Sequence, residues 1–223
     1  MSTARELTTT SYAILGLLAI KPWTTYELAQ QMDRALGLFW PRTRSKLYEE
    51  PKKLVARGLA RASSERTGKR PRTVYTITPK GRRALAAWVP AGTEAGPTLE
   101  FEQLVRLFFA EHATRENLLA TFDGVYEWLE AQARLGIEIT GEYLAGRGAF
   151  PERLPWLLLV GRFLDQFERA VEEWADWAVG VVEQWPDDLR SAPPEIDVLE
   201  EMARNSEDRV DRAARRRRQL SGS

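Results

Sequence analysis

FWPRTRSKLYEEPKKLVARGLARASSERTGKRPRTVYTITPKGRR, from Phe39 to Arg83, decides how the rest of this chain is read. A helix starting near Thr43 or Ser45 puts Leu47, Tyr48, Pro51, Leu54 and Val55 on one arc of a 100°-per-residue wheel. Arg42, Ser45, Lys46, Glu49 and Lys53 fall on the opposite arc, with Lys52 at its edge. One side packs inward and the other carries cations to solvent. Pro51 lacks an N–H and crowds the preceding turn, so a kink or a short first segment is expected there. Gly58 closes the helix. Leu59–Ser63 and Val74–Thr78 read as strands, the second rich in β-branched and aromatic residues. Between them Ser64–Arg72 forms a cationic turn with Lys69, Arg70 and Arg72. Pro79 then opens another helix.

Upstream, residues 1–8 read as a loose arm, and Thr9 or Thr10 caps an apolar helix over Ser11–Ile20. Lys21-Pro22-Trp23 stops it. Thr24 and Glu27 have capping-box spacing for a second helix whose inward stripe is Leu28, Met32 and Leu36. Three helices followed by a two-stranded β-wing are the sequence form of a winged helix-turn-helix. Charge agrees with that reading. The chain's net charge is zero, yet residues 1–90 hold 17 Lys and Arg against 6 Asp and Glu, and residues 91–223 hold 15 against 26. The first part can neutralise phosphates; the second repels them.

The second part is helical. Pro90–Pro97 is a linker of small residues and breakers, and Thr98 caps a helix over Leu99–His112. Thr114 caps a longer one, with the stripe Leu118, Phe122, Val125, Leu129, Ile139 and Tyr143, ending at Gly146 to Gly148. From Pro151 to Trp185, apolar residues recur in alternating steps of three and four: Leu157, Val160, Leu164, Phe167, Val171, Trp174, Ala178, Val181, Trp185. That is a coiled-coil period, and it marks Leu157, Val160, Leu164, Phe167, Val171, Trp174 and Val181 as a dimerisation seam. Beyond Pro186 a helix from Ile196 to about Met202 and a disordered end are expected. The expected fold class is mainly α. Residues 1–90 form the winged helix-turn-helix, 98–186 a helical dimerisation or effector domain, and 187–223 a partly disordered tail.

YAILGLLAIKPWTTYELAQQM, LYEEPKKLVARGL and TVYTITPKGRRAL together resemble the PadR-like transcriptional regulators. The resemblance covers about residues 9–90 and continues weakly through 99–185, where the long C-terminal part is similar to the larger subfamily. It implies an N-terminal winged helix-turn-helix joined to a C-terminal helical dimerisation domain. Family members often carry Gly-Tyr in the turn before the second helix, where this chain has Thr25-Tyr26. Many also carry Leu where Pro51 stands.

The implied function is a DNA-binding regulator, a repressor that binds an inverted-repeat operator as a homodimer. Arg42, Thr43, Arg44, Ser45 and Lys46 stand at the recognition-helix N-terminus, where side chains reach base edges. Lys52 and Lys53 are placed on backbone phosphates, and Lys69, Arg70 and Arg72 in the minor groove or on phosphates. Thr25 and Tyr26 complete the candidate contact set. The alternative is a winged helix that docks protein without reading DNA. Trp128, Trp156, Trp174, Trp177 and Trp185 raise a pocket for a small aromatic effector; filling a helical core is the simpler use of them.

Catalysis has no support. There is no cysteine and a single histidine, His112, which sits where it can meet a helix dipole. Neither a nucleophile elbow nor a P-loop nor a dinucleotide fingerprint occurs, and no cofactor or metal is expected. With no apolar leader or long apolar run, the expected compartment is the cytoplasm.

Overall fold

The computed structural model describes residues 7–67, 70–93 and 96–222; the side chains of Arg44, Arg66, Thr67, Arg70 and Pro71 also lie outside the description. The N-terminal arm expected over 1–8 falls largely outside it. The chain forms two compact units, Met1–Thr98 and Leu99–Ser223.

In the first unit, α1 spans Thr9–Ile20, and Thr8 rather than Thr9 or Thr10 is its cap, accepting from the Ser11 N–H. Ile14, Leu15, Leu17 and Leu18 of α1 are buried, as its apolar surround requires. Trp23–Thr24 form a short strand, β1. It leads into α2, Thr25–Leu36, whose Thr24–Glu27 capping box is present on both sides. α3 runs Arg44–Ala56 and buries Leu47, Pro51 and Leu54. Pro51 does not break it: α3 is one helix on both sides of the ring. The ring is fully buried, and that packing compensates for the missing N–H.

Gly58 takes φ +69° just after α3, a backbone state that costs glycine little. β2, Ala60–Thr67, and β3, Arg70–Ile77, pair antiparallel from Ala60↔Ile77 to Thr67↔Arg70. The ladder therefore extends through most of the segment the sequence assigns to the turn. β1 adds a third strand on the other edge of β3, through Trp23↔Tyr75. The sequence reading had only two. α4, Pro79–Trp88, is capped by Thr78 and packs against α1. A Cβ on Gly81 would collide with the Leu59 carbonyl, so only glycine fits there. Trp88 of α4 stacks on Tyr12 of α1, with centroids 4.8 Å apart.

In the second unit, α5 covers only Glu102–Phe108, followed by a 3₁₀ turn at Ala110–His112. The sequence reading began this helix at Leu99 with Thr98 as cap; here Phe101 is the N-cap residue, and it makes no side-chain cap bond. α6, Arg115–Leu144, is capped by Thr114, and α7 spans Leu154–Val182. Leu118, Phe122 and Val125 of α6 close on Val171, Ala175, Ala178 and Val182 of α7, with Leu189 beside them. At this end Arg115 is a brace. Its guanidinium donates to the Trp185 carbonyl at 2.9 Å and pairs with Asp187 at 2.8 Å.

This packing corrects part of the seam. Val171 is buried in the protomer's own core, and Phe167 and Trp174 pack against the same cluster. The apolar surface left outward lies at the other end of α7: Trp156, Leu158, Leu159, Val160 and Phe163 are 41–73% exposed. The last segment also differs from expectation. α8 continues from Ile196 to Ser221 instead of ending near Met202. Its Ala, Glu and Arg content favours helix, and ion pairs Glu200–Arg204 and Asp208–Arg212 follow i,i+4 spacing.

Candidate nucleic-acid interface

α3 owes its orientation to a buried carboxylate. Glu50 is 8% exposed, and its Oε2 accepts from the Ser11 hydroxyl of α1 at 2.7 Å. Its Oε1 takes the Lys53 ammonium at 2.6 Å. Burial pushes this carboxyl up, but the hydrogen bonds from Lys53 and Ser11 outweigh it and hold the group below the usual carboxylate range. Sequence reasoning missed Glu50. The signal was there: a carboxylate three residues before Lys53 and one before a buried proline, at the rim of the inward arc.

With α3 fixed, Ser45, Lys46, Glu49 and Lys52 are exposed on its outward side. Tyr48, assigned inward, is 38% exposed. Thr43 is exposed, and its hydroxyl lies 3.2 Å from that of Ser45. Lys53 is on the same side but ion-paired to Glu50. Arg42 is drawn back toward the body of the unit. Its guanidinium lies over the Trp40 ring at 4.0 Å, and its Nε donates to the Thr10 hydroxyl at 3.2 Å. Trp40 Nε1 donates to the same oxygen. Thr10, Trp40 and Arg42 together pin the turn that leads into α3.

α2 adds Tyr26, 64% exposed, beside the half-buried Thr25. Glu27 accepts from the Thr24 hydroxyl at 2.7 Å and the Thr24 N–H at 2.9 Å. Those bonds lower its pKa, and Lys21 and Arg72 nearby add to the effect. Arg72 is exposed on β3. Lys69 lies outside the described residues, and the side chains of Arg44 and Arg70 are not described. The geometry is thus an outward helix face with Lys46 and Lys52, next to a two-stranded hairpin and a short third strand.

Residues 14–87 match the model of the transcriptional regulator PadR-like family. The winged-helix part of the chain belongs to that family. The negative transcriptional regulator PadR of Bacillus subtilis is 28% identical to this PadR-like chain over 133 residues, 59% of this chain and 71% of that protein. A probable transcriptional regulator of Mycobacterium tuberculosis is 34% identical over 79 residues, 35% of this chain and 42% of its own. Among solved structures, Bacillus subtilis PadR in complex with operator DNA superposes with a TM-score of 0.64 at 23% identity, covering 79% of this chain and 99% of that one. PadR-like proteins are transcriptional regulators, not enzymes. Among the described residues no helix is long and apolar enough to cross a membrane.

Proposed function

We propose that this PadR-like regulator is a repressor that reads an inverted-repeat operator as a homodimer, one α3 to each half-site. The observation that carries the reading is the division of α3. Leu47, Pro51 and Leu54 are buried, Glu50 is locked to α1, and Ser45, Lys46 and Lys52 face solvent. A helix held from behind in this way can enter a major groove without losing its packing. Lys46 and Arg44 are the candidates for base edges. Lys52 and Arg72, together with Lys69 and Arg70 from the sequence, are the candidates for phosphates. Arg42 and Lys53, already engaged, serve better to shape the turn and fix α3.

The test is operator affinity by fluorescence anisotropy, on a duplex chosen by footprinting. Lys46→Ala is expected to weaken binding about tenfold, as loss of a contact of ~1.4 kcal/mol would. Unchanged affinity for that duplex would remove α3 from the reading.

The homodimer would form over the exposed apolar end of α7, around Trp156, Leu159, Val160 and Phe163. Five large apolar side chains in one run exceed the scattered exposure ordinary on a monomer. Repression is supported by the negative regulator it resembles, and a cytoplasmic site of action follows from operator binding.

An effector belongs to this reading in altered form. Trp128, Trp174 and Trp185 are partly buried against the α6–α7 core, so core filling accounts for them. A cleft of about 680 Å³ between α6 and α7 is lined by Leu119, Phe122, Tyr126 and Val179, by the carboxylates Glu116, Asp123, Glu183 and Asp187, and by Arg115, which pairs with Asp187. Tyr126 donates to Asp176 at 2.7 Å, and burial with this bond pushes its hydroxyl up to about 12. Carboxylates around an apolar floor suit a cationic aromatic ring better than an aromatic acid. Tyramine and p-coumaric acid, similar in shape and opposite in charge, test this by calorimetry. Binding of the amine alone is expected; preference for the acid would overturn the assignment.

A further inference from the structure

α8 has no buried residue along its 26 residues. Its apolar side chains are nonetheless ordered. Ile196, Leu199, Ala203, Val210, Ala213 and Leu220 recur in alternating steps of three and four, with Ser206 and Arg217 completing the line. Ile196, Leu199, Val210 and Leu220 are 53–80% exposed. A second regularity runs along the same helix. Ile196–Asp208 holds five carboxylates and one arginine, and Arg209–Ser221 holds six arginines and one carboxylate.

A helix macrodipole favours acids at the start and bases at the end, but it acts within the first and last turns. Here the opposition continues to the middle, where Glu207 and Asp208 meet Arg209 and Arg212. The i,i+4 pairs Glu200–Arg204 and Asp208–Arg212 leave most of this charge without a partner of opposite sign on the same helix. Two such helices side by side in parallel would set arginines against arginines. Turned end over end, each acidic half lies along a basic half.

We propose that α8 pairs antiparallel with α8 of a second copy of this chain. With the two-fold axis at Asp208, the line of eight positions meets itself in register. Ile196 falls opposite Leu220 of the second copy, Leu199 opposite the stem of Arg217, Ala203 opposite Ala213, and Ser206 opposite Val210. The apolar line gives the contact its area, and the reversed charge selects orientation and partner. A two-fold contact of this kind is closed, so it limits itself to two chains. It adds an interaction surface separate from α7, and it requires no DNA.

The chain has no cysteine, so introduced thiols report alone. Full-length Leu199→Cys and Arg217→Cys proteins are mixed under mild oxidation without DNA and run on a non-reducing gel. A cross-linked dimer is expected in the mixture, several-fold above either variant alone. Adding Glu200→Arg and Glu201→Arg to both partners lowers the yield, and adding Arg215→Glu and Arg216→Glu as well restores it. Cross-linking of each variant with itself would mean parallel pairing and overturn the proposal. So would an absence of cross-linking in the mixture. Loss of DNA affinity in Arg215→Glu with Arg216→Glu, at unchanged cross-linking in every charge variant, would assign the arginines to DNA and overturn the charge-selected pairing.

Discussion

Glu50 shows how one side chain sets what its neighbours can do. It ion-pairs with Lys53, which stays exposed, and ties α3 to α1 through Ser11. Replacing it with Ala leaves a buried hydroxyl without its acceptor, which costs about 2 kcal/mol and lowers the urea midpoint. Its carboxyl titrates below the ordinary value of 4.5 in the folded chain. A depressed folded pKa contributes stability that is present above the unfolded value and lost as pH falls through the folded one. Wild-type protein is therefore expected to lose stability more steeply below pH 4.5 than Glu50→Gln, which keeps the shape without the charge. Parallel acid titration curves of the two proteins, followed by circular dichroism, would show that Glu50 does not carry this dependence.

At the scale of elements, the three-four rhythm in α7 has two uses that period alone cannot separate. Val171, Ala175, Ala178 and Val182 face α6, whereas Val160 and Phe163 face outward. Val171→Asp is therefore expected to unfold the second unit, because an unpaired charge in that core costs several kcal/mol. Val160→Asp with Phe163→Asp is expected to leave the helical signal intact and, in a chain that also carries Glu200→Arg and Glu201→Arg to weaken the α8 contact, to give a monomer by light scattering. A folded dimer from the second variant would move the homodimer contact away from α7. The caps at Thr24 and Thr114, the start of α3, the opening of α4 at Pro79 and the basic hairpin were all legible, because each rests on local chemistry within a few residues. Pro51 was not. Its effect depends on burial against elements distant in sequence, and that burial keeps α3 whole. β1 was missed because two residues, Trp23 and Thr24, carry no period. Arg42 was legible as a cation near the groove-facing end, but its bond to Thr10 joins residues 32 positions apart.

For the whole molecule, zero net charge conceals two opposed halves, and it is the local one that meets the polyanion. Operator binding is expected to depend on salt as strongly as for a basic protein. Six phosphate contacts per dimer would lower affinity about a thousandfold between 50 and 200 mM salt. A nearly flat salt response would favour a winged helix that docks protein instead. The same halves limit how much non-specific duplex the molecule can hold, since the acidic unit repels what the basic unit attracts.

The Arg115 brace has a mechanical consequence. α6 and α7 are held at both ends: the guanidinium, Asp187 and the Trp185 carbonyl meet over the packed core at one, and the turn over 145–153 joins the two helices at the other. Their far ends, near Leu144 and Trp156, are 89% and 62% exposed. The hairpin is thus closed by its own turn at one end and clasped by Arg115 at the other. Amide exchange should slow from the exposed turn toward the clasp, where the buried core lies.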